Sequence, residues 1–96
     1  MSEASYYVYI LTNWNHQVMY VGSTKDLKKR VEQHRAKKKT GFTHKYRVTK
    51  LVYFEKVSGI KNGLRRERQI KEWRRAWKNE LVATLNPTWR DLIETI

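Results

Sequence analysis

Three short segments of the chain combine aromatic and β-branched residues, which is the composition typical of β-strands. They cover residues 6–11, 18–21 and 50–55. Turn-forming residues at 12–17 separate the first two segments, so these segments are predicted to form an antiparallel hairpin. We expect the hairpin to place Leu11 opposite Val18. That register would put Tyr9 opposite Tyr20, with both rings on one face of the sheet.

Helical spacing of apolar residues marks three other segments, which are predicted as helices at 26–38, 61–73 and 76–84. In the first of these, Leu27, Val31 and His34 form an apolar-leaning stripe, and Thr24 or Asp26 can cap its start. The order of elements predicts an α/β fold, a small antiparallel three-stranded sheet flanked by helices. Since no repeat or linker separates two units, residues 1–96 are predicted to form a single domain.

The charge balance is the strongest compositional signal. The 96 residues include 21 Lys and Arg but only 9 Asp and Glu, which gives a formal net charge of +12. A charge of this size favours a polyanionic partner, and nucleic acid is the first candidate. The chain has no cysteine, which excludes disulfides and thiolate metal sites and fits a cytoplasmic protein. Every apolar run is shorter than the roughly 20 residues of a membrane-spanning helix, so no membrane partner is expected.

Two tyrosine motifs lie on the predicted hairpin. Tyr7-Val8-Tyr9 and Tyr20-Val21-Gly22 resemble the two half-motifs that name the GIY-YIG nuclease family. Arg30, on the first predicted helix, stands where the family carries an arginine, and His34 matches a histidine of one large branch. Glu67 stands where the family keeps a metal-binding glutamate. The resemblance therefore implies a small GIY-YIG-like fold and a divalent-metal endonuclease.

The chain also departs from the family pattern. Tyr7 and Val8 replace the Gly and Ile of the first half-motif, and Val21 replaces the Ile of the second. These are apolar substitutions within strands. Ser23 stands where some relatives carry a lysine that helps the reaction. The segment Asn86-Pro87-Thr88-Trp89 resembles the ending of the small stand-alone members.

The resemblance implies catalytic roles for Tyr9, Tyr20, Arg30, His34 and Glu67. Glu67 would bind Mg²⁺, or Mn²⁺ as a substitute, since a carboxylate, waters and a substrate phosphate suit that ion. On residue type alone, a salt bridge is the favoured role for an acid on so basic a helix. Arg30 would hold the scissile phosphate, or be one solvated helix arginine among many. Tyr9 or His34 would be the general base and Tyr20 would position the water, although both tyrosines could simply pack the sheet.

Further basic residues are predicted to contact the phosphates of the substrate, namely Lys25, Lys28, Arg35 and Lys45. Trp14, Phe42 and Tyr46 are candidates for stacking on unpaired bases, or are ordinary loop or packing residues. No base-reading recognition helix is apparent, so we expect low sequence specificity. The favoured function is a metal-dependent endonuclease that hydrolyses phosphodiester bonds in DNA, including branched or damaged DNA. The alternatives are a non-catalytic nucleic-acid-binding module of the same fold and a basic protein that binds anionic membranes.

Overall fold

All three segments predicted as strands form strands in the structure, a computed structural model that describes residues 4–36 and 46–96. The strands are β1 (Ser5–Thr12), β2 (Met19–Thr24) and β3 (Lys50–Ser58). The helices are α1 (Leu27–Arg35), α2 (Gly59–Lys71) and α3 (Arg75–Leu85), followed by a short 3₁₀ helix at Ile93–Thr95. The strands pair antiparallel in the order β2–β1–β3. The predicted α/β fold, a three-stranded antiparallel sheet with flanking helices, is confirmed.

Several elements begin or end a few residues from their predicted bounds. Strand β2 does not stop at Gly22 but continues to Thr24. Gly59 adopts a φ of 83°, which is unfavourable for other residues, and lets the chain turn from β3 directly into α2, two residues earlier than predicted. Of the two predicted caps of α1, Asp26 is the one that accepts the backbone N–H of Lys29. The terminal 3₁₀ helix is not predicted by the sequence pattern.

The register of the hairpin differs from the predicted one. Tyr9 lies opposite Gly22 and not, as predicted, opposite Tyr20. The cause is Asn13, which donates its backbone N–H to the carbonyl of Val18 and accepts the N–H of Val18 on its side-chain oxygen. These two bonds make Asn13, and not Leu11, the partner of Val18, which shifts the register by two residues. Because the shift is by two residues, Tyr9 and Tyr20 still share a face, with ring centroids 6.2 Å apart.

The sheet buries a separate apolar cluster on each face. The cluster under α2 and α3 includes Val8, Ile10, Val52, Ile70 and Val82. The cluster under α1 and the C-terminal residues includes Tyr9, Leu11, Val31, Leu51 and Leu92. Successive side chains of β1 therefore enter different cores, while β2 lies at an edge of the sheet. Within residues 4–36 and 46–96, no helix combines the length and the apolar character needed to cross a membrane.

Candidate active site at the edge of strand β2

Tyr9, Tyr20 and His34 form one cluster on the α1 face of the sheet. The hydroxyl of Tyr9 lies 3.1 Å from Nε2 of His34, within hydrogen-bond distance. The centroid of the His34 ring lies 5.9 Å from that of Tyr9 and 5.2 Å from that of Tyr20. Val31, one helical turn before His34, is fully buried against the sheet, so the docking of α1 brings the imidazole to the tyrosines.

Gly22 provides the space in which these rings meet. Tyr9 lies opposite Gly22 in the hairpin. A Cβ atom at position 22 would lie 2.6 Å from the hydroxyl oxygen of Tyr9 and 2.9 Å from Cε2 of Tyr20. Both distances are far shorter than ordinary carbon contacts. The glycine of the second half-motif is therefore needed so that the Tyr9 side chain can pass over β2 and reach the edge of the sheet.

Arg30 brings a positive charge to this cluster from the exposed side of α1. A hydrogen bond to the hydroxyl of Tyr9, and another to that of Tyr20, raise the pKa of its guanidinium. Nη1 of Arg30 also donates to Oε1 of Gln33 at 3.2 Å. The ion pairs found in the described part of the chain are Arg35–Asp91, Arg66–Glu55 and Lys71–Glu67. Arg30 thus has neutral hydrogen-bond partners, and its charge is available to an anion.

Burial keeps the Tyr9–His34 pair neutral near pH 7. Burial raises the pKa of Tyr9, although the hydrogen bond to Arg30 acts in the opposite direction. Burial and, to a smaller extent, the positive charge of Arg30 together lower the pKa of His34 to about 4. A neutral imidazole with its proton on Nδ1 can accept the Tyr9 hydroxyl proton on Nε2. The structure therefore gives the tyrosine a proton acceptor but leaves it protonated at rest.

Glu67 approaches the same edge from the opposite face of the sheet. It lies on α2, whose buried Ile70 belongs to the other apolar cluster. Its Oε1 accepts a hydrogen bond from the hydroxyl of Ser23, and its Oε2 lies 2.6 Å from Nζ of Lys71. The salt bridge favoured by residue type is therefore present. The carboxylate is also close enough to Tyr9 to raise the pKa of the hydroxyl.

A groove of about 480 Å³ runs across the edge of β2 and joins the two halves of the site. From the α1 side it is lined by Lys29, Arg30 and Gln33. From β2 and the α2 side it is lined by Ser23, the hydrogen-bond partner of Glu67, together with Ile60. The acid and the tyrosines thus come from opposite faces of the sheet. The groove is not lined by Glu67, Tyr9 or Tyr20 themselves, but it is lined by their hydrogen-bond partners Ser23 and Arg30.

The oxygen atoms beside this groove suit a hard divalent cation such as Mg²⁺. The described residues contain no group of three or more acidic, histidine or cysteine side chains that could hold a metal ion. Glu67 and the Ser23 hydroxyl offer two adjacent oxygens, and Mg²⁺ commonly combines one or two protein oxygens with waters and substrate phosphate. The donor set therefore fits an ion that binds together with the substrate, in competition with the ammonium of Lys71.

The predicted phosphate contacts have different surroundings. Lys25 lines the groove beside Arg30. Lys28 is exposed on α1 but lines a neighbouring cavity under the C-terminal residues and not the groove. Arg35 pairs with Asp91, whose other carboxylate oxygen accepts the backbone N–H of Leu51, so it ties α1 to the C-terminal segment. Lys45 lies outside the described residues, as does the stacking candidate Phe42.

Sequence reasoning missed three contributors to this site. Ser23 looked like a departure from the family pattern, but it holds the carboxylate of Glu67. Lys71 stands four residues after Glu67 on the same helix, and this spacing alone would have pointed to the pair. Gln33 orients Arg30 from one turn along α1. An ammonium group therefore reaches the site from α2, in a chain that lacks the lysine some relatives carry at the position of Ser23.

The class of protein follows from comparison with known families. The model of the GIY-YIG catalytic domain matches residues 5–80 of the chain. The chain belongs to the GIY-YIG family, which is a family of nucleases. The three strands, the two tyrosine motifs and the arrangement around the edge of β2 all lie within the matched residues.

Within this family, the chain is similar to small proteins named UPF0213. The chain is 38% identical over 77 residues to a UPF0213 protein of Syntrophus aciditrophicus, covering 79% of the chain and 87% of the relative. It is 32% identical over 80 residues to one of Natronomonas pharaonis, covering 83% and 93%. The solution NMR structure of a UPF0213 protein from Bacillus halodurans has a similar fold, with a TM-score of 0.57 and 25% identity. That match covers 91% of this chain and 92% of the other.

Proposed function

We propose that this protein is a metal-dependent endonuclease that hydrolyses phosphodiester bonds in DNA with low sequence specificity. The observation that carries the proposal is the position of Arg30. Its guanidinium has no acidic partner among the described residues, contacts the Tyr9 and Tyr20 hydroxyls, and lines a groove that also reaches the partner of Glu67. A phosphate bound to Arg30 would therefore lie between a proton acceptor and a carboxylate.

In the proposed reaction, Arg30 binds the scissile phosphate and stabilises the negative charge that develops on its oxygens. The hydroxyl of Tyr9 receives a proton from the attacking water as its own proton passes to Nε2 of His34 at 3.1 Å. Tyr20 orients that water. This arrangement uses both candidates for the general base together, because neither is a strong base alone: Tyr9 is protonated at rest and the pKa of His34 is about 4.

Glu67 and Ser23 would hold Mg²⁺, or Mn²⁺ in its place. A bound divalent ion would polarise the phosphate and acidify its coordinated water. The ammonium of Lys71 occupies the carboxylate in the absence of an ion, which limits the repulsion that a lone acid would exert on an approaching phosphate. Low sequence specificity is supported by the basic groove lining of Lys25, Lys29 and Arg30, because contacts from such side chains to phosphates carry no sequence information.

The salt bridge between Glu67 and Lys71 favours one alternative, a nucleic-acid-binding module without cleavage. In that case Lys71 would neutralise the acid permanently, and no ion would displace it. The two functions predict different results. In a nuclease, loss of the Glu67 charge lowers cleavage but leaves DNA affinity nearly unchanged, whereas the binding module cleaves no DNA at all.

A cleavage assay with Mg²⁺ or Mn²⁺ on single-stranded, duplex and branched DNA, and on RNA of the same sequence, tests the proposal. We expect DNA cleavage by the unaltered chain and a loss of about a hundredfold or more in Glu67→Gln, with DNA affinity unchanged within a few-fold. Glu72→Gln, an exposed acid five residues further along, is the matched control and should cleave normally. Absence of cleavage with either ion on every DNA would overturn the proposal in favour of the binding module.

A further inference from the structure

The hairpin loop, residues 13–18, carries the most exposed large apolar side chain among the described residues. Trp14 is 83% exposed, whereas Ile60, the next in exposure, is 56% exposed. The loop lies at the far end of β1 and β2 from the groove, and Trp14 does not line the groove. An indole this exposed contributes little to the stability of the fold, since most of its apolar area stays in water.

The loop is held in place from several directions. Inside it, the backbone N–H of His16 bonds to the carbonyl of Asn13 at 3.1 Å, which puts Trp14 at the tip of a turn. From α3, Arg75 donates to the backbone carbonyls of His16 and Gln17. The His16 ring also lies 5.0 Å from the Trp89 ring. A fixed loop presents its tryptophan without a further ordering cost on binding.

The side chains behind the loop carry positive charge without acidic partners. Nζ of Lys50 contacts Nε2 of His16 at 2.9 Å, and Arg75 donates to two backbone carbonyls and to Oδ1 of Asn79. None of the ion pairs formed within residues 4–36 and 46–96 involves either of them. Burial and the charge of Arg75 lower the pKa of the nearby Lys78. Lys50, Arg75 and Lys78 therefore concentrate positive charge behind the loop, and a bound anion would reduce the repulsion between them.

We propose that the hairpin loop is a second nucleic-acid contact, in which an unpaired base stacks on Trp14 and adjoining phosphates lie against Lys50 and Arg75. An exposed aromatic beside unpaired cations is the combination that binds single-stranded nucleic acid with little sequence preference. A base within an uninterrupted duplex keeps both of its faces stacked on neighbours and cannot use the indole.

This inference rests on the proposed nuclease function and defines its substrate class more closely. Tyr9 pairs with Gly22 and Thr12 pairs with Met19, so the loop starts about 10 Å along the strands from Tyr9. A nucleic-acid strand bound at both sites would therefore have unpaired nucleotides within a few nucleotides of the bond that is cut. The preferred substrates would be single-stranded branches, flaps or bubbles.

Equilibrium binding of the full chain to an oligothymidylate and to a blunt duplex, measured without divalent metal, tests the inference. We expect Trp14→Ala to weaken oligothymidylate binding about tenfold and duplex binding less than about twofold. Trp77→Ala, which removes another exposed tryptophan from α3, is the matched control and should bind both within about twofold of the unaltered chain. Lys50→Met should lower the dependence of log affinity on log salt by about 0.7 on the single strand.

Tryptophan fluorescence gives a second readout. Oligothymidylate should quench emission in the unaltered chain and in Trp77→Ala, and should cause little quenching in Trp14→Ala. Unchanged oligothymidylate affinity in Trp14→Ala would overturn the inference, as would an equal loss on duplex. Binding through Trp14 to vesicles of equimolar phosphatidylcholine and phosphatidylglycerol, without oligothymidylate binding, would assign the loop to a membrane instead.

The two proposals can fail separately. Cleavage of DNA by a chain in which Trp14→Ala has no effect on single-strand affinity would overturn only the second contact. Trp14-dependent binding by a chain that cleaves no nucleic acid would overturn only the nuclease function.

Discussion

Two buried tyrosines, one on each face of the sheet, lie beside an arginine from a neighbouring helix, but only one of those arginines has an acidic partner. On the α2 face, Tyr53 donates to Oε1 of Glu55 at 2.6 Å. Arg66 donates to the same carboxylate through Nε at 2.8 Å and through Nη2 at 3.2 Å, and it stacks on Trp73. Every charge in this network is paired inside the protein.

On the α1 face, Tyr9 meets His34 and Arg30, and the place that Glu55 fills in the other network is taken by a neutral imidazole. Burial raises the pKa of both tyrosines, so burial does not distinguish the two networks. The difference is that Arg66 forms an ion pair with a carboxylate, whereas none of the ion pairs within residues 4–36 and 46–96 involves Arg30. A paired arginine beside a tyrosine stabilises the fold, whereas an arginine with neutral partners leaves its charge for a ligand such as phosphate.

The largest expected effect is that removing Arg30 lowers cleavage, whereas removing Arg66 lowers stability. Arg30→Ala should reduce cleavage by a hundredfold to about a thousandfold, because it removes the charge that stabilises the phosphate, and should leave the unfolding free energy nearly unchanged. Arg66→Ala should lower the unfolding free energy by about 1–2 kcal/mol, since Glu55 loses its cationic partner, with little effect on cleavage by the folded protein. Urea titration and single-turnover cleavage of both variants measure these quantities. The reverse pattern would contradict the comparison.

A smaller effect is expected from closing the space over β2. In Gly22→Ala the new Cβ would lie 2.6 Å from the Tyr9 hydroxyl oxygen and push it away from His34. A displacement of this kind costs about a hundredfold in rate when the group takes part in the chemistry. The hydrogen bond of Tyr53, on the other face, should persist. Cleavage kinetics and the tyrosine signals in near-ultraviolet circular dichroism test this, and normal turnover in Gly22→Ala would exclude Tyr9 from the reaction.

The smallest expected effect is on stability in acid. Because the pKa of His34 falls from its ordinary 6.5 to about 4 on folding, the unfolded chain binds this proton first as the pH falls. Stability is therefore unaffected by His34 above pH 6.5 and is lost as the pH falls from 6.5 to about 4. Since His34 is only half-buried, we expect a loss of about 1 kcal/mol.

The measurement for this prediction is the urea midpoint at neutral pH and at a pH just above the pKa of His34. The unaltered chain should lose more stability between the two conditions than His34→Gln does. An equal loss in both would show that other groups account for the acid sensitivity.

Much of the fold could be predicted from sequence because its signals are local. Aromatic and β-branched runs located the three strands, and apolar spacing located the helices. The register could not be predicted, since it depends on two bonds between Asn13 and Val18 that compete with strand pairing. The predicted register placed Tyr9 and Tyr20 on one face of the sheet. The observed register differs by two residues, an even number, so the two side chains still share a face.

For the candidate site, the sequence suggested individual residues but not the contacts between them. The motif spacing picked out Arg30 and Glu67, but it could not show that they reach one strand edge from opposite faces of the sheet. Nor could it show that Arg35 is paired, because its partner Asp91 lies 56 residues away in the chain. Only the folded chain shows that Arg35 is paired and that Arg30 takes part in none of the ion pairs among the described residues.

The matched removal of one hydroxyl from each network tests the central claim most directly. Single-turnover cleavage should be measured for Tyr9→Phe and Tyr53→Phe, each corrected for its folded fraction. We predict a loss of about a hundredfold or more for Tyr9→Phe, and a rate within about threefold of the unaltered chain for Tyr53→Phe. Equal rates in the two variants would contradict the assignment of the unpaired network on the α1 face to the chemistry.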